Sequence, residues 1–307
     1  MILLCGIPSE APLAMVGAAL DRQGTAYRVF NQRLVSRCRF SWEITHSGID
    51  GVLDLDGESH RLADIGGVYL RLMDDRLLPE LKGLPDESAP RRHARAFHDA
   101  VFRWSEVAPG RVVNRAEPQG SNSSKPYQAQ LIARYGFLVP ETLITNDPEQ
   151  VRSFLAEHGT LVYKSMSGVR SIVERLNPAD LERLDQIRWC PVQFQVFVPG
   201  TNIRVHVIGQ EAFATEIVSD VTDYRYATKQ GSSATLRAIE LPDRVVERCV
   251  LMAEGLGLAF AGIDLKLTPD GDVYCFEVNP CPAYSYYEAN TGQPIADAVA
   301  RYLAGGG

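Results

Sequence analysis

The stretch GIDLKLTPDGDVYCFEVNP, residues 262–280, constrains this chain more than any other. Two apolar runs flank Asp270-Gly271, a dipeptide that favours a two-residue hairpin turn. Under that turn Asp264 falls opposite Glu277, and Asn279 stands one repeat further along Glu277's face. Two like charges face to face destabilise a sheet unless something positive lies between them. Three hard oxygen donors on one face suit Mg²⁺, which takes one or two carboxylates and completes its octahedron with water and nucleotide phosphates. The alternative for an isolated acid pair is a solvated hairpin face. The apolar runs on either side, Leu256 to Ile263 and Val273 to Phe276, argue for a partly buried one. Pro280 and Pro282 then stop the strand. A short helix around Ala283–Ala289 is expected next, its first N–H groups directed back toward the metal side.

The rest of the chain reads as alternating helices and strands. Ile2–Cys5 is a buried strand, Ala11–Arg22 an apolar-striped helix and Ala26–Phe30 a second strand, so the chain opens β-α-β. Short strands fill residues 40–72, with Asp56-Gly57 as a hairpin turn. Ala89–Val107 is a long helix. A polar stretch, Asn114–Ser124, marks a domain boundary. Helix Lys125–Tyr135, strand Glu141–Ile144, helix Pro148–Glu157 and strand Thr160–Lys164 follow, then strand Ser171–Glu174 and a short helix from Pro178. From Val192 the pattern is mostly antiparallel: VQFQVFV, NIRVHVIG and EAFATEIV, helix Pro242–Gly255, the hairpin, and a last helix Pro294–Leu303. The class is α/β with a substantial antiparallel part, that is α+β.

Bulk properties narrow the function classes. The chain has 307 residues and a formal charge of −7, with no long Lys/Arg run, which argues against a general nucleic-acid or anionic-membrane binder. No apolar run approaches the ~18–20 residues needed to span a bilayer, and the first residues read as a strand rather than a signal peptide. Six scattered cysteines without a C-x-x-C pair fit free thiols in a reducing, cytoplasmic compartment. No G-x-G-x-x-G follows the first strand, so nothing points to a dinucleotide.

Several further residues have the chemistry to handle phosphates, and each also has a blander role. Lys125 opens a helix after SNSS, where a lysine also serves as a snorkelling surface residue. Lys164 ends a strand and precedes SMSGVRS, a small-residue loop whose N–H groups, Ser167 and Gly168 among them, suit a phosphate cap or a plain surface turn. In VQFQVFVPG the residues Gln195, Val196, Phe197 and Val198 also read as a half-buried strand. Asn202, Arg204 and His206 share one face of NIRVHV. Arg225 lies in DYRYATKQG, a loop. Arg71 ends a strand where ligands dock in open α/β sheets, and is a candidate to grip a substrate carboxylate. Tyr284, Tyr286, Tyr287 and Glu288 either shape an acceptor pocket or pack as aromatic helix residues. Cys281 lacks a nearby base and reads as wall or core.

In order along the chain, SNSSKPYQAQLIARYGFLVPET, YKSMSGVRS, FQVFVPGTNIRVHVIG, DYRYATKQG, GLAFAGIDL and FEVNP resemble the ATP-grasp ligases of the RimK-like branch. The resemblance implies an ATP-grasp fold preceded by a small β-α-β domain. The expected division is residues 1–115 as the preceding domain, 116–198 as the lid subdomain and 199–307 as the metal-binding subdomain. It further implies that Lys125 and Lys164 hold nucleotide phosphates and that the loop Ser165–Ser171 closes over them. Gln195 to Val198 would read the adenine edge through the backbone. Asp264, Glu277 and Asn279 would ligate two Mg²⁺ ions, with Mn²⁺ able to substitute. Arg204 and Arg225 would face the transferred phosphate. Asn202 and Val196 depart from the acids common at those positions, and NPCPAYSYYE departs from the asparagine- and glycine-rich tail of many peptide-crosslinking relatives. The implied activity is ATP-dependent joining of a carboxylate to an amine through an acyl phosphate, releasing ADP and phosphate. The carboxylate would belong to a small molecule, amino acid or peptide. The alternatives are a maturase of a ribosomally made peptide and a non-catalytic ATP-binding protein. The family also implies a homodimer or homotetramer.

Overall fold

The computed structural model describes residues 1–46, 48–165, 173–218 and 235–306. The amino-terminal part contains β1 (Ile2–Gly6), α1 (Ala11–Arg22), β2 (Tyr27–Asn31), β3 (Cys38–Thr45), β4 (Gly48–Leu55), β5 (Glu58–Arg61), β6 (Gly67–Leu70), α2 (Ala89–Val107) and β7 (Arg111–Val113). The middle contains α3 (Lys125–Ala133), β8 (Thr142–Thr145), α4 (Pro148–His158), β9 (Leu161–Ser165), β10 (Glu174–Arg175), α5 (Pro178–Glu182) and β11 (Val192–Val196). The remainder contains β12 (Thr201–Ile208), β13 (Glu211–Val218), β14 (Thr235–Ile239), α6 (Asp243–Gly255), β15 (Phe260–Leu267), β16 (Val273–Asn279), α7 (Ser285–Thr291) and α8 (Ile295–Ala304). Among the described residues no helix is long and apolar enough to cross a membrane.

The first sheet is parallel, in the order β2-β1-β6-β7. Its central strand β1 is buried along its whole length, as the uninterrupted ILLCG run requires of a strand covered on both faces. Helix α2 matches its sequence-based limits and buries Ala94, Phe97, Val101 and Trp104 on one stripe. The short strands of residues 40–72 resolve into a separate antiparallel sheet, β3-β4-β5, and strand β6 of the parallel one. The sheet of the expected lid segment runs β10-β9-β11-β8, and the largest sheet runs β14-β13-β12-β15-β16. Four of the six free cysteines are buried; Cys190 and Cys281 are exposed.

Two Asp-Gly dipeptides behave differently. At Asp56-Gly57 both residues have positive φ, 54° and 91°, and close a two-residue turn between paired Leu55 and Glu58, as expected. At Asp270-Gly271 the expected two-residue turn is replaced by a five-residue loop, 268–272, between paired Leu267 and Val273. The cause is Pro269. Its fixed φ suits the second position of a turn that runs Thr268 to Gly271, closed by Gly271 N–H to Thr268 O at 3.0 Å. Thr268 then accepts from Asp272 N–H on its Oγ1 at 3.0 Å.

The longer loop displaces the register by one residue, and a β-bulge restores it. Leu265 pairs with Cys275 but Asp264 pairs with Glu277, leaving Phe276 as the extra residue. Cys275 and Val278 both face the core under α6, so Phe276 and Glu277 both face the opposite side. The expected juxtaposition of Asp264 with Glu277 therefore stands, by a different route.

Two cores flank the large sheet. On one face Ile203, Val205, Val207, Ile263, Leu265 and Val278 pack under α6. On the other, Ile208, Ile217 and Phe260 join α7, α8, α1 and β1 in a core shared with the parallel sheet. That second face carries the site.

Candidate active site

Between the lid sheet and the large sheet lies a cleft open to solvent. Lys164, Gln195, Val196, Phe197, Val198, Asp264 and Glu277 all line it, as do Asn202, Lys266 and Phe276. The structure thus brings together seven of the sequence-predicted residues. Ser167, Gly168, Arg225 and most of the expected closing loop lie outside the described residues.

Each carboxylate on the cleft floor is held by a cation. Asp264 Oδ1 accepts from Arg204 Nη1 at 2.6 Å, and Glu277 Oε1 accepts from Lys125 Nζ at 2.7 Å. Lys125 also donates to Asn122 Oδ1 at 2.5 Å, a bond within the SNSSK start of α3. Arg204 and Asp264 are cross-strand partners on β12 and β15, which explains the short contact. Arg204 is buried, and room for it comes from Gly262, where a β-carbon would lie 2.2 Å from Arg204 Nη2. A side chain at position 262 would evict the guanidinium.

Two acids directly opposite one another, with cations drawn to both, fit a divalent metal. Asp264, Glu277 and Asn279 offer oxygen atoms, the donor type such an ion prefers. Asn279 ends β16, and its Oδ1 accepts from Cys281 N–H at 2.9 Å.

At the outer end of the cleft, the backbone of Val196 to Val198 is partly committed. The N–H groups of Val196 and Phe197 donate to Glu141 O and Thr160 O, both at 2.9 Å, inside the lid. Val198 O accepts from Lys266 Nζ at 3.1 Å. Lys266 also lies over the rings of Phe197 and Phe276. Burial, and then the neighbouring Arg175 charge, lower its pKa. The sequence reading missed Lys266, whose signal was a lysine on the same strand face as Asp264.

Other expectations change. Arg71 is not aimed at an open pocket: its Nε reaches Glu10 Oε2 at 3.4 Å and its Nη1 reaches Pro282 O at 3.1 Å. Helix α7 begins at Ser285, later than expected. Tyr284 and Tyr287 are buried, and Tyr284 Oη donates to Pro12 O at 2.7 Å. Glu288 Oε2 accepts from Ala296 N–H at 2.7 Å in the first turn of α8. These side chains serve packing and capping, while Tyr286 is half exposed. Two buried amides were also missed. Asn114 bonds both the N–H and C=O of Phe260, and Gln128 does the same at Val278, so each acts as a substitute strand edge for the carboxylate hairpin.

A cleft between a lid sheet and a carboxylate-bearing antiparallel sheet defines an ATP-grasp ligase, an enzyme class that forms carbon–nitrogen bonds. The chain belongs to the RimK-like ATP-grasp family, whose model, described as RimK-like ATP-grasp domain, matches residues 122–303. The "Probable alpha-L-glutamate ligase" of Xylella fastidiosa (strain M12) is 25% identical over 269 residues, 82% of this chain and 88% of that protein. The ATP-grasp ligase PsnB, solved with a minimal precursor, Mg and ADP, is 30% identical at TM-score 0.79, covering 99% of this chain and 96% of that one. A RiPP-associated ATP-grasp ligase of Chryseobacterium gregarium, solved with ADP and leader and core peptides, shares the fold at TM-score 0.82 and 20% identity, covering 100% and 97%.

Proposed function

We propose that this ligase joins a peptide-borne carboxylate to an amine, with ATP activating the carboxylate as an acyl phosphate. The observation that carries the chemistry is the pair of opposed carboxylates, each already neutralised by a cation, in a cleft that Val196, Phe197, Val198 and Phe276 also line. The adenine would lie against Phe276 and the backbone of Val196 to Val198. Because the amides of Val196 and Phe197 are engaged within the lid, edge reading falls to the backbone of Val198. Lys164 and Lys125 would hold phosphates, Lys125 by releasing Glu277. Arg204, and Arg225 from beyond the described residues, would face the transferred phosphoryl group. Asp264, Glu277 and Asn279 would hold Mg²⁺, two ions by family resemblance, with Mn²⁺ as a substitute. The metal supplies charge neutralisation for phosphoryl transfer, which depends on positioning and electrostatics more than on covalent help from the protein.

The bonds change as follows. A substrate carboxylate oxygen attacks the γ-phosphorus while the bridging P–O bond breaks and ADP leaves. The amine nitrogen then attacks the acyl carbon, and phosphate departs with the C–O bonding pair. Arg204, whose guanidinium is buried and bonded to Asp264, would stabilise charge through both steps. No side chain is assigned as the base for the amine.

A peptide substrate is favoured over a free amino acid by the likeness to PsnB, which extends over both chains almost completely and exceeds the identity to the glutamate ligase. The tail after Asn279 had pointed the other way. The whole-chain likeness includes the amino-terminal part, where family ligases take their acceptors, and so weighs more. A homodimer or homotetramer is the assembly proposed from the family.

The test is ADP release with Mg²⁺ and hydroxylamine, which replaces the unknown amine, across pools of acidic peptides, amino acids and dicarboxylates. A hydroxamate formed from a peptide pool supports the proposal. A hydroxamate from free glutamate alone would replace it with the amino-acid ligase reading. No ADP from any pool, with ATP still bound, would favour a non-catalytic nucleotide binder.

A further inference from the structure

The corner that follows the metal strand is held from a distant part of the chain. Pro280 O accepts from Asn114 Nδ2 at 2.5 Å. Pro282 O accepts from Arg71 Nη1 at 3.1 Å, and the same nitrogen lies 3.1 Å from Cys281 Sγ. Cys281 N–H in turn donates to Asn279 Oδ1 at 2.9 Å, the oxygen offered to the metal. A carboxamide oxygen accepting one such bond keeps a second lone pair for a ligand.

Arg71 itself has little freedom. Its backbone N–H donates to Cys5 O at 2.8 Å, extending the pairing of β6 with the fully buried β1. At Gly6 a β-carbon would lie 2.8 Å from Arg71 O, so the two backbones are as close as a glycine permits. Glu10, just before α1, pairs with the guanidinium through both Nε and Nη2. Only 8% of the Arg71 side chain is exposed, against 32% for Glu10. A planar fork fixed on one side by a carboxylate presents its remaining N–H groups in a set direction.

We propose that Arg71 is a positioning residue for the metal site: anchored by Glu10, it fixes the Cys281–Pro282 corner, and the corner fixes the Asn279 carboxamide. A substrate carboxylate is not its partner, because Glu10 already occupies that side of the guanidinium. The inference rests on Asn279 being a metal ligand. It extends that reading to a chain of contacts linking the parallel sheet to the site. Groups that orient metal ligands typically affect metal affinity nearly as strongly as the ligands do.

The experiment measures Mn²⁺ binding to the full-length protein, saturated with ADP, by electron paramagnetic resonance. Arg71→Met is expected to weaken Mn²⁺ binding about tenfold or more, while ADP affinity in EDTA and the far-UV spectrum stay as in the parent. Arg71→Lys is expected to recover part of the loss. Glu10→Gln, a milder change at a partly exposed position, is expected to weaken Mn²⁺ about tenfold, and it decides the matter if Arg71→Met fails to fold. Mn²⁺ affinity unchanged in every folded variant overturns the proposal. Glu277→Ala, measured alongside, separates the two ideas. Mn²⁺ binding lost in Glu277→Ala but kept in the Arg71 and Glu10 variants sinks the positioning role alone, whereas Mn²⁺ binding kept in Glu277→Ala sinks the metal site and this inference together.

Discussion

One face of the large sheet does two unlike jobs along the same strands. Toward the lid, β12 and β15 present Asn202, Asp264 and Lys266 to a wet cleft, with the buried Arg204 bonded to Asp264. A few residues along, the same strands present His206, Ile208 and Phe260, sealed beneath Tyr284, Tyr287 and α8. Charge survives in the first half because each carboxylate has a cation and water reaches the cleft. In the second half, among the described residues neither nitrogen of the polar His206 ring has a hydrogen-bond partner, and the ring is fully buried between Phe260 and Tyr287. The chemistry stands on a rigid apolar base shared with the parallel sheet. Changes above the boundary should alter turnover, and changes below it should alter stability.

The largest effect is expected at Glu277. Glu277→Ala should abolish ADP formation while leaving the circular dichroism spectrum intact; normal ADP release by that variant would break the assignment of the upper half. Arg204→Met should lower kcat by about 10²–10³, measured as ADP release under saturating ATP. It stands nearest the boundary, so a variant that chiefly loses melting temperature would move Arg204 into the lower half.

His206 sharpens the contrast from below. Burial, and then the Arg204 charge, hold its pKa well below the ordinary histidine value. The unfolded chain therefore takes up a proton near pH ~6.5 that the folded chain refuses, so stability is full above that pH and falls below it. Between pH 7.5 and 5.5 the parent should lose on the order of 1 kcal/mol through this one group, read as the difference between its urea midpoints and those of His206→Phe. An identical acid response in both proteins would show that His206 does not titrate on unfolding. Smallest is Tyr284→Phe, which deletes the bond to Pro12 O and should cost about 1 kcal/mol of stability without changing turnover. A loss of turnover would place Tyr284 in the upper half instead.

Much of the fold was legible because periodicity carried it. Helix α2 and the β-α-β opening follow from apolar spacing, and the juxtaposition of Asp264 with Glu277 follows from alternation along the hairpin. What was not legible depends on distant contacts. Lys125 lies 152 residues from Glu277, and nothing local in SNSSK reports that pairing. Arg71 was recognised as a strand-end arginine, but its partners Glu10 and Pro282 come from two other segments. Asn114 and Gln128 read as an ordinary boundary asparagine and helix glutamine; only the folded hairpin shows that their amides complete it. The tip of that hairpin was misread because Asp-Gly outweighed the proline before it.

The bulge at Phe276 has an engineering corollary. A regular strand with the observed loop would pair Asp264 with Phe276 and turn Glu277 toward the apolar core under α6, at a cost no unpaired carboxylate can meet there. The hairpin is also clipped at the end away from its tip, since Asn114 bonds both backbone groups of Phe260 and Gln128 bonds both of Val278. The hairpin is therefore indexed from its base, and loop 268–272 is decoupled from the catalytic alignment. That makes the tip a place to insert a reporter or an affinity handle without disturbing the carboxylates at the other end of the same two strands.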